Sequence, residues 1–280
     1  MPENILFRFS NEEMVYLLSL LNIADFPGIP PDPLKQLTDE GKSLLMTTVD
    51  HTLRARELVL WDSETKREID PLVSTLLLGC AHPDFTLFVD LLDATAGPTR
   101  LLYIFGSEML VEQCEVEPQV QQYLQLPSYE ALLQRWQALI FPEQDEALEE
   151  TNTALPGGQL SLDLWQEALK VVYTGESNAA TLLARSLPDS TAEALAESLR
   201  TFRRICYLGR WKQMPASEED RPDAALTVVM GSKQLFLLWQ EDPVNLSLTV
   251  IPANVEQTRE YLARLLPPER STHEMGNEGS

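Results

Sequence analysis

The sequence predicts an α+β protein: a central, mainly antiparallel sheet with helical bundles, made of two related halves about a pseudo-two-fold axis. Three observations predict it. Two hairpins are spelled alike, TRLLYIFGSEMLVEQ at 99–113 and ALTVVMGSKQLFLLWQ at 225–240, each an apolar run, Gly-Ser and a second apolar run. One offset of 125 residues sets Leu101 on Leu226, Gly106 on Gly231, Ser107 on Ser232, Leu110 on Leu235, Pro118 on Pro243 and Pro127 on Pro252. Gly and Pro fix turns and element starts, so their matching at one offset matches strand lengths and connections. Finally, helices precede each hairpin, and a proline-opened helix follows each third strand. In that third strand Leu246, Leu248 and Val250 fall on Gln121, Tyr123 and Gln125. A one-residue slip turns side chains to the other face, so one copy carries a bulge or the alignment drifts there.

The elements follow in order. NILFRF is a short strand, and Ser10 with Glu13 forms a capping box that opens a helix carrying Met14, Leu17, Leu18 and Leu21. FPGIPPDPL is a rigid connection. A second helix covers about 40–57, and Asp70-Pro71 starts a third with an N-cap and a proline in the first turn. Residues 85–92 read as a strand, the first hairpin follows, and Pro127 opens a helix bearing Leu132, Trp136 and Ile140 on one stripe. In the second half Ser161 caps a helix with Leu164, Trp165, Ala168 and Leu169. A short helix from Ser177 comes next, then a longer one opened by Ser190 and Glu193 as a second capping box. CYLGRWKQ, the second hairpin and NLSLTVI supply strands, and Pro252 opens the last helix.

Composition divides the chain. Residues 1–141 form an N-terminal αβ half and 160–267 a C-terminal one; 142–159, acidic and then rich in Thr, Asn, Pro and Gly, reads as a linker. Residues 268–280 hold too little apolar content to pack and read as a disordered tail. The net charge of −22 opposes binding to nucleic acid or to anionic membranes. Three widely spaced cysteines fit a reducing compartment. The acidic N-terminus lacks the positive charge of a signal peptide, and no apolar run approaches ~18 residues, so no membrane insertion is expected. These features predict a cytoplasmic protein, monomeric or homodimeric.

No catalytic constellation stands out. The sequence has no P-loop, no GxSxG elbow and no GxGxxG after a strand. His51, His82 and His273 lack the spacing of a zinc site, and Cys80 near His82 has no further ligand close by. The serines of the Gly-Ser pairs read as turn residues. The expectation is no enzyme, no cofactor and no metal. A hydrolase reading would need a Ser or Cys hydrogen-bonded to His51 or His82. The basic stretch Arg200, Arg203, Arg204, Arg210 and Lys212 has Glu193 and Glu197 within reach for ion pairing. QLFLLWQ at 234–240 is apolar on both faces, with Leu235, Leu237 and Trp239 one way and Phe236 and Leu238 the other. A half-exposed strand would alternate, so both faces need a cover: the chain's own layers, or a partner.

The arrangement resembles the EspG family of type VII (ESX) secretion chaperones. The likeness runs over most of residues 5–266 and rests on LRARELVLW (53–61), with Glu57 where the family carries Gly; on IDPLVSTLLLGCAHPD (69–84); and on VVYTGESNAATLLARSL (171–187), GSKQLF and LTVIPANVEQTREYLARLL (248–266). The resemblance implies a non-catalytic protein that binds the apolar helical tip of PE–PPE-like secretion substrates and keeps them soluble. It implies that the sheet and the C-terminal helical bundle make the contact. By element, the partner-binding surface would include Val229, Phe236, Leu238 and Trp239, with Leu195 or Leu199 nearby. The competing reading is a non-catalytic adaptor of the same fold with an unrelated partner.

Overall fold

The computed structural model of the chain describes residues 5–29, 34–63, 66–106, 109–142, 154–212, 220–241 and 246–267. Ten strands form one fully antiparallel sheet in the order β1-β7-β6-β5-β4-β9-β10-β11-β12-β8. The first half supplies β1 (Leu6–Ser10), β4 (Phe85–Asp93), β5 (Gly97–Phe105), β6 (Leu110–Glu117) and β7 (Val120–Leu126). The second supplies β8 (Gly158–Ser161), β9 (Arg204–Trp211), β10 (Ala224–Met230), β11 (Leu235–Gln240) and β12 (Ser247–Ala253). The order reads outward the same way from the β4–β9 seam, each half ending on its own first strand. That is the pseudo-two-fold the repeat predicts. Eight α-helices among the described residues cover the sheet: α1 (Asn11–Leu20), α2 (Asp39–Ala55), α3 (Pro71–Ala81), α4 (Tyr129–Ile140), α5 (Leu162–Tyr173), α6 (Ala179–Leu183), α7 (Asp189–Arg200) and α8 (Val255–Leu265).

Strand alternation sorts the core into three clusters. On one face both halves contribute to a single cluster, which α4 and α8 close with Trp136, Ile140, Leu262 and Leu265. On the other face the halves part. The bundle α1–α3 covers Phe9, Leu102, Ile104 and Tyr123, and the bundle α5–α7 covers Val229, Phe236, Leu238 and Val250.

The two Gly-Ser turns are alike in detail. Gly106 N–H donates to the Met109 carbonyl and Gly231 N–H to the Gln234 carbonyl, both at 2.9 Å. A Cβ on Gly106 would come within 2.8 Å of the Gly79 carbonyl oxygen in α3, and one on Gly231 within 2.7 Å of Ser198 Cα in α7. Glycine is therefore required twice for one reason: a turn presses on the helix that leads into β4 or β9. Ser107 lies outside the described residues, and Ser232 meets Thr201 at 3.2 Å. The third strands also agree in parity, since Tyr123 and Val250 share a face. The mismatch in the sequence is drift. Leu110 pairs with Leu126 but Leu235 with Ala253, so the second connection is two residues longer, and the first half has a bulge between Glu115 and Glu117.

Several local expectations hold. Ser10 and Glu13 make both bonds of the capping box. Asp70 caps α3, accepting from the Leu72 and Val73 N–H groups. Glu57 has φ 58° and follows α2 as its left-handed terminator, with Leu58 N–H on the Leu53 carbonyl. That conformation suits glycine. Others are corrected. The Ser190–Glu193 box does not form: α7 begins after Pro188, and Thr191 instead donates its hydroxyl to the Pro156 carbonyl at 2.6 Å. Pro252 lies within β12, which ends at Ala253, and Asn254 with Gln257 caps α8. Gly158 and Gln159, assigned to the linker, pair with Val250 and Thr249 as the start of β8. The hairpin β2 (Val59–Ser63) and β3 (Lys66–Ile69) was unexpected. Most of the acidic linker (143–153) and the tail (268–280) lie outside the described residues.

The basic stretch is dispersed into structural roles. Arg200 pairs with Glu197 at 3.1 Å. Arg210 holds the Leu265 and Leu266 carbonyls at the end of α8. Arg204 bonds Asp93 at 2.6 Å and reaches the Leu139 and Ile140 carbonyls at the end of α4. The Ala96 N–H, the Thr95 hydroxyl and N–H, and Arg204 together hold the Asp93 carboxyl well below the usual carboxylate range. A depressed carboxyl stabilises the fold above its unfolded value, near 3.9, and loses that contribution as pH falls through its folded value. Asp93→Asn should therefore lower the melting temperature at neutral pH. The gap to the parent should narrow as pH is taken below about 4, as thermal melts across pH will show.

Candidate partner-binding groove

Neither His51 nor His82 bonds a serine or cysteine among the described residues. Burial pushes the Cys80 thiol up to about 12, so it is no nucleophile at neutral pH. No group of three or more His, Cys, Asp or Glu among the described residues could hold a metal ion. No described helix is long and apolar enough to cross a membrane.

The six residues named as partner-facing do not form an exposed surface. Val229, Phe236, Leu238, Leu195 and Leu199 are each at most 1% exposed, in the core between the sheet and α5–α7. Trp239 is on the opposite face, edge-on to Tyr261 of α8 at 5.6 Å. The doubly apolar strand β11 is thus a central strand between the chain's own layers. Its cover is internal on both sides. Of the six, Leu238 also lines an opening to solvent.

That opening is a groove of about 330 Å³ between α5 and the sheet. Its α5 wall is Leu162, Trp165, Gln166 and Leu169; its floor includes Leu238 and Leu248; Arg221 and Pro222 lie at its edge. The helix carries two stripes. Trp165, Ala168 and Val171 are buried in the core. Leu162, Gln166, Leu169 and Tyr173 follow at i, i+4, i+7 and i+11, which places them on a second line along the helix. Leu162 and Leu169 are half-buried and Tyr173 is 92% exposed. Ser161 starts the helix by accepting from the Leu164 N–H, as Ser10 does for the Glu13 N–H in the first half. Below the groove, Gly209 and Ala225 pair across β9 and β10, and Ala225 faces Gln240 on β11. Ala225 lines the groove, while the Trp211 indole covers Gly209, 2.6 Å from where a Cβ would stand. Towards the seam, Phe88 and Trp211 meet edge to face at 5.3 Å.

The first half fills the corresponding ground with its own chain. Gln113 is the counterpart of Leu238 at the offset of 125. There residues 26–29, after α1, lie on the sheet: Phe26 is edge-on to Tyr123 at 6.1 Å, and a Cβ on Gly28, whose φ is 75°, would come within 2.3 Å of Gln113 Nε2. One half is plugged and the other open, on the same scaffold. Sequence reasoning missed Leu162, Trp165, Leu169, Tyr207, Thr227, Gln240 and Leu248 as site residues. The second stripe of α5 was the signal that could have found part of this set. A further cleft of about 430 Å³ beside α1 and α2 is spanned by the Arg56–Glu13 ion pair at 2.8 Å.

No family model and no curated protein matches the sequence. Among solved structures, the chain is similar to the Mycobacterium tuberculosis type VII secretion system chaperone EspG5, solved in complex with the PE25-PPE41 dimer. The TM-score is 0.61 at 14% identity, and the match covers 94% of this chain and 98% of the other. The likeness takes in both halves and both bundles, so the chain has the fold of the EspG chaperones.

Proposed function

We propose that the chain is a cytoplasmic, non-catalytic chaperone for type VII secretion substrates, holding the apolar tip of a helical PE–PPE-like protein in the groove beside α5. The observation that carries this reading is the open groove in the second half, where the first half plugs the equivalent ground. Support comes from the EspG-like fold. Covering the half-buried leucines of α5 and the floor would contribute ~25 cal/mol for each Å² of apolar surface removed from water, set against the costs of association. The net charge of −22 helps keep such a protein soluble while its groove is empty.

Co-expression with the PE–PPE-like pairs encoded in the same genome tests it. One pair should become soluble and elute with the chain as a single complex in size-exclusion chromatography. If every pair elutes apart from the chain, the reading fails.

A further inference from the structure

The groove floor is not wholly apolar. Thr227 and Gln240 line it and are 9% and 6% exposed, yet neither side chain makes a hydrogen bond among the described residues. Neither is among the side-chain atoms sealed from water without a partner, so in the free chain their polar atoms face the water of the groove. These two lie on adjacent strands, Thr227 beside Leu238 and Gln240 beside Ala225. Tyr207, opposite Thr227 on β9, also lines the groove, and its hydroxyl lies 2.9 Å from where a Gly209 Cβ would stand. Three hydrogen-bonding groups therefore line the groove around Ala225.

We propose that Thr227 and Gln240, with Tyr207 beside them, are the specificity-determining residues of the groove, donating hydrogen bonds to the unpaired backbone carbonyls at a helix end in the partner's tip. This assignment rests on the chaperone reading for the identity of the partner. A purely apolar occupant would seal these donors from water without partners, which penalises it. A helix end is a fitting occupant because its last four carbonyls have no partner within the helix. The threonine hydroxyl, the glutamine NH2 and the tyrosine hydroxyl can all donate. Desolvation, then the charge of Asp90, pushes Tyr207 up to about 12, so it keeps its proton at any physiological pH. The first half holds a parallel: a turn of the chain itself, at Gly28, sits against the Gln113 amide on the sheet floor.

The test uses the double variant Thr227→Val and Gln240→Leu, which keeps the shape and removes the donors. With the PE–PPE pair that co-elutes with the parent chain, calorimetry should show affinity about tenfold weaker per lost bond, or about 1.4 kcal/mol each. The melting temperature should not fall. Unchanged affinity overturns the assignment. A second arm needs no partner. Hexanamide and hexane are titrated separately into the 15N-labelled free chain while the Gln240 side-chain amide signals are followed. Hexanamide should move those signals and hexane should not. If the two probes act alike, the assignment fails. If no pair binds the parent chain but hexanamide is still selected, the chaperone reading falls and the polar role of these residues stands.

Discussion

Phe236→Ala should lower the stability of the chain by about 3–5 kcal/mol, read as a drop in the urea midpoint with little change in slope. Phe236 is fully buried where β11 meets the α5–α7 bundle. Its ring fills space between Val229, which it faces across β10 and β11, and the helices above. Deleting it removes the transfer energy of the ring and leaves a cavity that the regular sheet cannot close. Against a typical total of 5–15 kcal/mol, this is a large share. The effect separates two roles for this residue. A partner-contact residue would lose binding with its stability intact, whereas a core residue loses stability first.

The second large effect is at Arg135. Glu112 on β6 is 1% exposed beneath α4 and is bonded by the Tyr103 hydroxyl at 2.8 Å and by both arms of the Arg135 guanidinium. Arg135→Met keeps the apolar stem but leaves a buried carboxylate with one partner. The cost should be about 3 kcal/mol, at the lower end for breaking such a pair, because the Arg135 side chain is itself 45% exposed and water can reach the site. Chemical denaturation of the variant beside the parent measures it. Converting Glu112 to Gln as well should recover part of the loss, since the uncompensated charge is then gone.

Much of the fold could be read because its punctuation is chemically necessary. Both Gly-Ser turns need a residue without a Cβ at the helix they press on, so two glycines stand at one offset. Capping residues at Ser10, Asp70 and Ser161 satisfy N–H groups that every helix start exposes. What escaped the sequence had weaker local causes. β8 has only four residues, and its pairing with β12 makes it a strand. Ser190 fitted the spacing of a capping box, yet the N-cap of α7 is Pro188, two residues earlier, and tertiary contact gives Thr191 the bond instead. The apolar excess of β11 was plain, but a strand cannot announce whether its second cover is its own bundle or another protein. The groove was hidden for a related reason. It is made by a small residue at Ala225, by a helix displaying a second apolar stripe, and by a plug present in one half only. No single segment spells that combination.

The central claim is that the partner's tip lies along α5, and the most direct measurement is co-elution of the PE–PPE pair with a Leu169→Glu variant. Leu169 is half-buried on the wall of the groove, so a carboxylate there can reach water in the free chain but would be sealed under a docked apolar tip. The account predicts a variant that folds with a melting temperature close to the parent's and no longer co-elutes with the pair. A variant that holds the pair as tightly as the parent would place the partner elsewhere and contradict the account.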